Sequence, residues 1–252
     1  MPHQEKSRSI VSSWKDYLVQ VSLILLSLFI AVGVDRCNQR QQATDRLDEY
    51  VQLIHQELAD EMETTELNIV DAENDIDDLG RVLSNISSPG DDSLALTVLL
   101  TARVIGKGVF RAFPPTTFDQ MVAAGDASLI KDIKLRDRLA STAAFRDDYV
   151  QADLRQFDEI VLEVIDRFYA YVDLGCIIAT RGQNPLKCVT DRELLRERGA
   201  ADLGKLARMA QIRTFHLQSY RASLQGTITA FEKNYGPASI PADSNLPAPP
   251  TE

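Results

Sequence analysis

From Tyr17 to Val34 the chain runs eighteen residues without a charged side chain (YLVQVSLILLSLFIAVGV), close to the start of an otherwise polar, acidic sequence. As an α-helix this run extends about 27 Å, close to the thickness of a bilayer's hydrocarbon core. Trp14 and Tyr17 stand at its entrance, where amphipathic rings prefer the headgroup layer. Asp35 and Arg36 close the other end. The run therefore predicts an uncleaved transmembrane helix. The competing interpretations are a cleaved secretory signal, with Ala31-Val32-Gly33 as a small-residue cleavage site, and a buried helix of a soluble fold. Against the signal, the apolar stretch exceeds a signal core of roughly 7–15 residues, and helical patterning continues past the cut. Charged Asp35 and Arg36 exclude Cys37 as a lipoprotein cysteine.

Charge alone leaves the orientation open, because Lys6, Arg8 and Lys15 before the run are balanced by Arg36, Arg40 and Arg46 after it. A short N-terminal tail and a long following domain favour the N-terminus in the cytoplasm. The expected organisation is a cytoplasmic tail (1–16), a membrane helix (17–34), an extracytoplasmic helical domain (35–235) and a disordered Pro/Ala-rich tail (236–252). The expected location is a bacterial inner membrane, with lipid as one partner.

The formal charge of −10 is unevenly spread. Residues 45–92 hold fifteen Asp/Glu against only Arg46 and Arg81, whereas residues 1–44 and 93–252 are each slightly basic. Without a basic stripe, nucleic acid is not an expected partner.

Periodicity predicts helix almost throughout. Apolar or small residues recur at Leu47, Val51, Ile54, Leu58, Met62, Thr65, Ile69, Ala72, Ile76, Leu79, Leu83 and Ile86. The steps alternate between four and three with one four-four stutter, a coiled-coil-like seam that Pro89-Gly90 ends. The acids fall mostly between these positions and so predict a solvated outer face. Further helices are expected over Ser93–Ile105, Thr117–Ala124, Asp132–Leu174 and Asp191–Tyr235, the last interrupted near Gly199. Phe110–Pro115 reads as an extended connector. The fold class is all-α: a transmembrane helix continuing into an elongated antiparallel bundle whose three long helices have matched lengths.

The segment Thr116–Tyr149 (TTFDQMVAAGDASLIKDIKLRDRLASTAAFRDDY) carries one further pattern: a Thr-Phe helix, a glycine turn, a Leu-Ile pair, then Leu-Arg opening a long helix. With the membrane run and the long acidic helix, it resembles a family of uncharacterised bacterial single-pass membrane proteins. Thr117, Phe118, Gly125, Leu129, Ile130, Leu135, Arg136 and Tyr149 carry the resemblance. Ala124 replaces the family's usual serine, and Asp148 stands where a second tyrosine is common. The resemblance implies the anchor, its orientation and the helical domain, and supplies no activity. In physical terms the segment is a helix–turn–helix corner. Thr117 offers a cap, Gly125 a stop at positive φ, Leu129 and Ile130 a core plug, and Asp132 an N-cap. The alternative makes Thr117, Gly125 and Arg136 the rim of a ligand pocket.

Candidate chemistry is sparse. Cys176 and Cys188 flank the loop CIIATRGQNPLKC, and outside the cytoplasm they can form a disulfide; in the cytoplasm they would remain thiols. Two cysteines lack the two further ligands of a zinc site. Gln52 before His55 and Arg213 before His216 break the Glu-x-x-His spacing of di-iron bundles. His216 and Ser219 lack a nucleophile elbow, and Asp71, Glu73, Asp75, Asp77 and Asp78 lack the glycine and terminal glutamate of a calcium loop. No catalytic residue, cofactor or metal is therefore expected. The expected function is protein interaction or assembly, with a protein partner or a second copy docking on helix faces and the acidic first helix selecting by charge. The alternative is a sensory bundle that binds a small ligand and acts through a membrane partner.

Overall fold

The computed structural model describes residues 10–88, 90–107, 113–114 and 116–237. The proline-rich tail from residue 238 onward and most of the connector at 108–115 lie outside the described residues. The fold is all-α. Helix α1 is Ile10–Asn85, α2 Asp91–Ile105 and α3 Thr117–Ala124. Helix α4 (Ile133–Phe145) passes through a π turn at Arg146–Val150 into α5 (Gln151–Phe168). Short α6 (Leu174–Ala179) and long α7 (Arg192–Tyr235) complete the order. The chain divides into two compact units, residues 1–50 and 51–252.

In the first unit, one helix near the N-terminus is long and apolar enough to span a membrane, and its apolar window is wholly unburied. Leu23, Ile24 and Phe29 are each more than half exposed.

The second unit is a bundle in which successive elements reverse direction. Helix α2 returns alongside α1, with Arg103 paired to Asp78 and Lys107 to Asp75. The α4–α5 rod runs back up, and α7 descends. Helix α7 is antiparallel to α1, as His55 stacks edge-on against Phe231 while Ile86 lies beside Gly199. Helices α1, α2, α5 and α7 share a core around Leu79, Leu94, Phe157, Phe168 and Leu206.

Four expectations need correction. Helix α2 begins at Asp91, two residues before Ser93, because Asp91 and Asp92 favour the positive end of the helix dipole. The rod ends at Phe168 rather than Leu174. Tyr171 and Val172 there turn into the core, Val172 forms a β-bridge with Val189, and Asp173 caps α6 by accepting from the Cys176 N–H. Helix α7 is unbroken through Gly199. A Cβ at Gly199 would meet Ile86 and Leu195 at 3.2 Å, so the glycine lets α1 approach rather than ending the helix.

The fourth correction concerns the seam. One buried seam on α1 and the turn after it holds Ile54, Leu58, Glu61, Thr65, Asn68, Ala72, Asp75, Leu79, Val82 and Ile86, in unbroken alternation of four and three. Ile69 and Asp78 are also buried, whereas Met62, Ile76 and Leu83 are only half-buried. The expected stutter arose from choosing the apolar neighbour at each polar inward position. Three polar residues one heptad apart (Glu61, Asn68 and Asp75) occupy the interior instead.

Two glycines in the first half of α7 respond oppositely to substitution. Gly199→Val is expected to lose about 1–3 kcal/mol through overpacking against Ile86. At Gly204 an added methyl group would meet nothing within 4 Å. Gly204→Ala is therefore expected to gain about 0.5–1 kcal/mol. Urea unfolding followed by circular dichroism measures both.

Candidate functional site

The corner forms much as its residue types require. Thr116, rather than Thr117, is the N-cap of α3: its hydroxyl accepts from the Asp119 N–H, and the Asp119 carboxylate accepts from the Thr116 N–H, completing a capping box. Thr117 is the first helical residue, and its N–H donates to the Glu57 carboxylate at 2.6 Å, tying the helix start to α1. Phe118 and Met121 are buried, and Gly125 takes φ +78°, the left-handed stop. Ile130 is fully buried whereas Leu129 is half-buried, so only the former plugs the core. Asp132 caps α4, accepting from the Lys134 and Leu135 N–H groups, and the Leu135 N–H leads in holding its carboxyl below the usual range. Leu135 is buried and Arg136 is half-buried at the surface of α4. Thr117 lines an open cleft together with Glu57, Asp60, Glu61 and Pro114, whereas Gly125 and Arg136 line neither that cleft nor the void beside Glu61 described below.

One turn along α1 from Glu57, at Glu61, a polar layer crosses the bundle. Arg146, the first residue of the π turn, is buried and donates to Glu61 at 2.8 Å, to Asp147 at 2.8 Å and to the Pro114 carbonyl at 3.1 Å. The Tyr220 hydroxyl donates to the other Glu61 oxygen at 3.0 Å. Burial raises the Glu61 pKa, against the opposing pull of the Arg146 guanidinium and the Tyr220 hydroxyl. Burial and the nearby Glu61 charge push Tyr220 up as well. For Arg146, desolvation is outweighed by its bonds to Asp147 and Glu61, and its pKa rises. Beside this layer is a void of about 20 Å³, lined in part by Glu57, Thr116, Thr142 and Thr227. That volume suits a single water molecule.

Two heptads along α1, Asp75 forms a second layer. It pairs with Arg213 of α7 at 2.9 Å and with Lys107 after α2, and the Arg213 guanidinium lies 3.9 Å from the Phe157 ring centroid. Burial lowers the pKa of Arg213, with Asp75 opposing. The acids expected on a solvated face therefore divide. Glu61, Asp75 and Asp78 are interior partners of Arg146, Arg213 and Arg103, whereas Asp71, Glu73 and Asp77 are exposed.

His216 lies in a ring cluster with Phe145, Tyr149 and Phe215, and its Nδ1 is hydrogen-bonded to the Asp153 carboxylate. The Ser219 hydroxyl donates to the Phe215 carbonyl, so Ser219 and His216 do not assemble as a nucleophile and base. Among the described residues no cluster of three or more His, Cys, Asp or Glu side chains is placed to hold a metal ion. Cys176 and Cys188 are joined as a disulfide with Cα atoms 5.5 Å apart, and Cys37 is free and exposed.

The residues that sequence reasoning missed are Glu61, Asp75, Arg146, Asp153 and Arg213. A usable signal existed for the first two: insisting on strict heptad spacing from Ile54 lands on them. Comparisons with protein-family models, curated proteins and solved structures returned no match.

Arg146→Ala leaves Glu61 buried without its counter-charge and is expected to lose about 3–5 kcal/mol, with most of it recovered in the triple variant Glu61→Leu, Arg146→Met, Tyr220→Phe. The raised Glu61 pKa sets a second expectation. Between the ordinary carboxylate pKa and the raised folded value, the folded chain holds a proton that the unfolded chain has released. The stability that proton contributes is present at low pH and is lost as pH rises. Measured from pH 4 to 8, wild-type stability relative to Glu61→Gln should therefore fall with rising pH.

Proposed function

We propose that this chain is a single-pass membrane protein whose helical domain is a protein-interaction or assembly module, without enzymatic activity of its own. The observation that carries the reading is the exposed apolar run at 17–34, wholly unburied against the described residues. An apolar surface of that length requires a cover, and a bilayer supplies one of matching thickness. The ionic layers support the second half of the reading: the bundle fills its interior with its own side chains and leaves helix faces as its means of contact. The domain faces the extracytoplasmic side of a bacterial inner membrane, where a bond between Cys176 and Cys188 persists. The corner at 116–136 carries the resemblance to uncharacterised bacterial single-pass membrane proteins, and here it serves folding. Binding is by docking of side chains along a helix face, with the acidic outer face of α1 favouring cationic partners.

Carbonate washing of membranes tests the anchor. The full chain is expected to stay in the pellet, and Leu25→Lys with Phe29→Lys to shift it to the supernatant. Release of the unaltered chain, or a mature protein starting near Val34, contradicts the proposal. In the retained protein, a C-terminal reporter active only outside the cytoplasm should be on; one active only inside should be silent.

A further inference from the structure

Two helix faces of the second unit carry opposite charge at matching levels. Between Val51 and Gly80, α1 has no Lys or Arg. Its exposed positions there include Asp60, Glu63, Glu66, Asp71, Glu73 and Asp77. Amid them stand exposed apolar side chains, Leu67 and Val70 (55% exposed). Helix α7 shows the converse. From Arg198 to Gln225 its exposed charges are Arg198, Lys205, Arg208 and Arg221, with no exposed acid, and Phe215 projects among them at 66% exposure. Among the described residues these four cations make no ion pair.

Contacts inside the bundle calibrate the levels. Gln218 of α7 bonds to Glu73, Arg213 to Asp75 and Tyr220 to Glu61, while Gly199 lies against Ile86. On that scale Phe215 is level with Val70, Arg208 with the neighbourhood of Asp77, and Arg221 with Glu63 and Glu66, whereas Lys205 is level with exposed Arg81 and Arg198 falls beyond the acidic stretch. The α1 face thus presents Val70 amid acids, and the α7 face presents Phe215 with Arg208 one heptad away on the same stripe and Arg221 about a third of a turn round.

We propose that copies of this chain associate side by side in the same direction, the outer face of α1 in one copy docking on the outer face of α7 in the next. This rests on the reading of the chain as a membrane-anchored interaction module and names a second copy as its partner. Standing in the same direction, two copies keep the antiparallel sense of α1 and α7 and the level of every residue, so Val70 meets Phe215 while Asp77 meets Arg208. The two faces differ, so the contact is heterologous: each docked copy leaves one face of each kind open, and the assembly closes as a ring or extends as a row. Complementary charge favours this pairing, and opposition of the two acidic α1 faces disfavours the alternative α1–α1 contact.

The test uses the full chain in membranes with Cys37→Ser. One tagged chain carries Val70→Cys and a differently tagged chain carries Phe215→Cys; both sites are exposed, so folding is spared. Copper-phenanthroline oxidation is expected to give the heterotypic dimer as the dominant product over either homotypic dimer. Arg208→Glu on one chain should cut its yield at least about fivefold, and Asp77→Lys on the other should restore it. Raising salt to 0.5 M should reduce it as screening shortens. Equal crosslinking from Val122→Cys, exposed on α3, would mean random collision and overturn the proposal, as would indifference to the charge reversals. Absence of the heterotypic product in membranes that retain the chain against carbonate overturns the self-association alone; loss of the chain to carbonate overturns the reading beneath it.

Discussion

Burying Glu61 in a helical core imposes the condition around which the rest of the bundle is arranged. An isolated carboxylate in that position costs several kcal/mol, so a donor set must reach it at a fixed height and from fixed directions. Arg146 arrives from the rod and Tyr220 from α7. Arg146 also holds the Pro114 carbonyl, so the end of the connector is drawn into the same layer. The π turn begins at Arg146 itself. An extra residue in a helical turn changes the direction of the side chains beyond it, and π turns concentrate where such re-aiming is needed. Here the turn separates an inward Arg146 from an outward Tyr149 stacked on Phe145.

The condition recurs one and two heptads on. Asn68 and then Asp75 occupy the inward position that Glu61 takes, and Asp75 is met by Arg213 and Lys107. Apolar packing alone tolerates a helix sliding by a turn, because one leucine replaces another at little cost. Ionic layers do not, since a slip of one turn would leave both Glu61 and Asp75 unpaired. Their recurrence therefore gives α1 and α7 a single register, the role for which buried polar groups in helical seams are best attested.

What the sequence revealed follows from the range of the interactions involved. The apolar run at 17–34, the stop at Gly125 and the cap at Asp132 depend on neighbours within a turn, and their residue types state the role directly. The cap of α3 shifted by one residue because Thr116 and Thr117 are chemically alike and each has a capping-box partner three residues on, Asp119 for the first and Gln120 for the second; in the fold Asp119 takes that part. Gly199 read as a break because a glycine inside a helix costs stability, and nothing local reveals that Ile86, more than a hundred residues earlier, needs the space. Arg146 and Arg213 were illegible for the same reason: an arginine on a helix reads as solvated until its acid, 85 or 138 residues away, is known.

Fixing α7 at several heights also constrains its outer surface. At one end the chain is gathered by the Cys176–Cys188 bond, the Val172–Val189 bridge and the Asp191 cap; at the other, Phe231 packs edge-on against His55. Between these ends lie the Arg213 and Tyr220 layers. A helix held at four levels cannot rotate or slide to suit a partner, so Arg208, Phe215 and Arg221 are presented in one arrangement. The same holds for Asp60 to Asp77 on α1, whose inward neighbours are the other halves of those layers. Rigid presentation lowers the ordering cost that any docking must overcome, although each exposed charge alone contributes little. The interior acids and the exterior acids of α1 are thus linked: the first set holds the second at fixed heights.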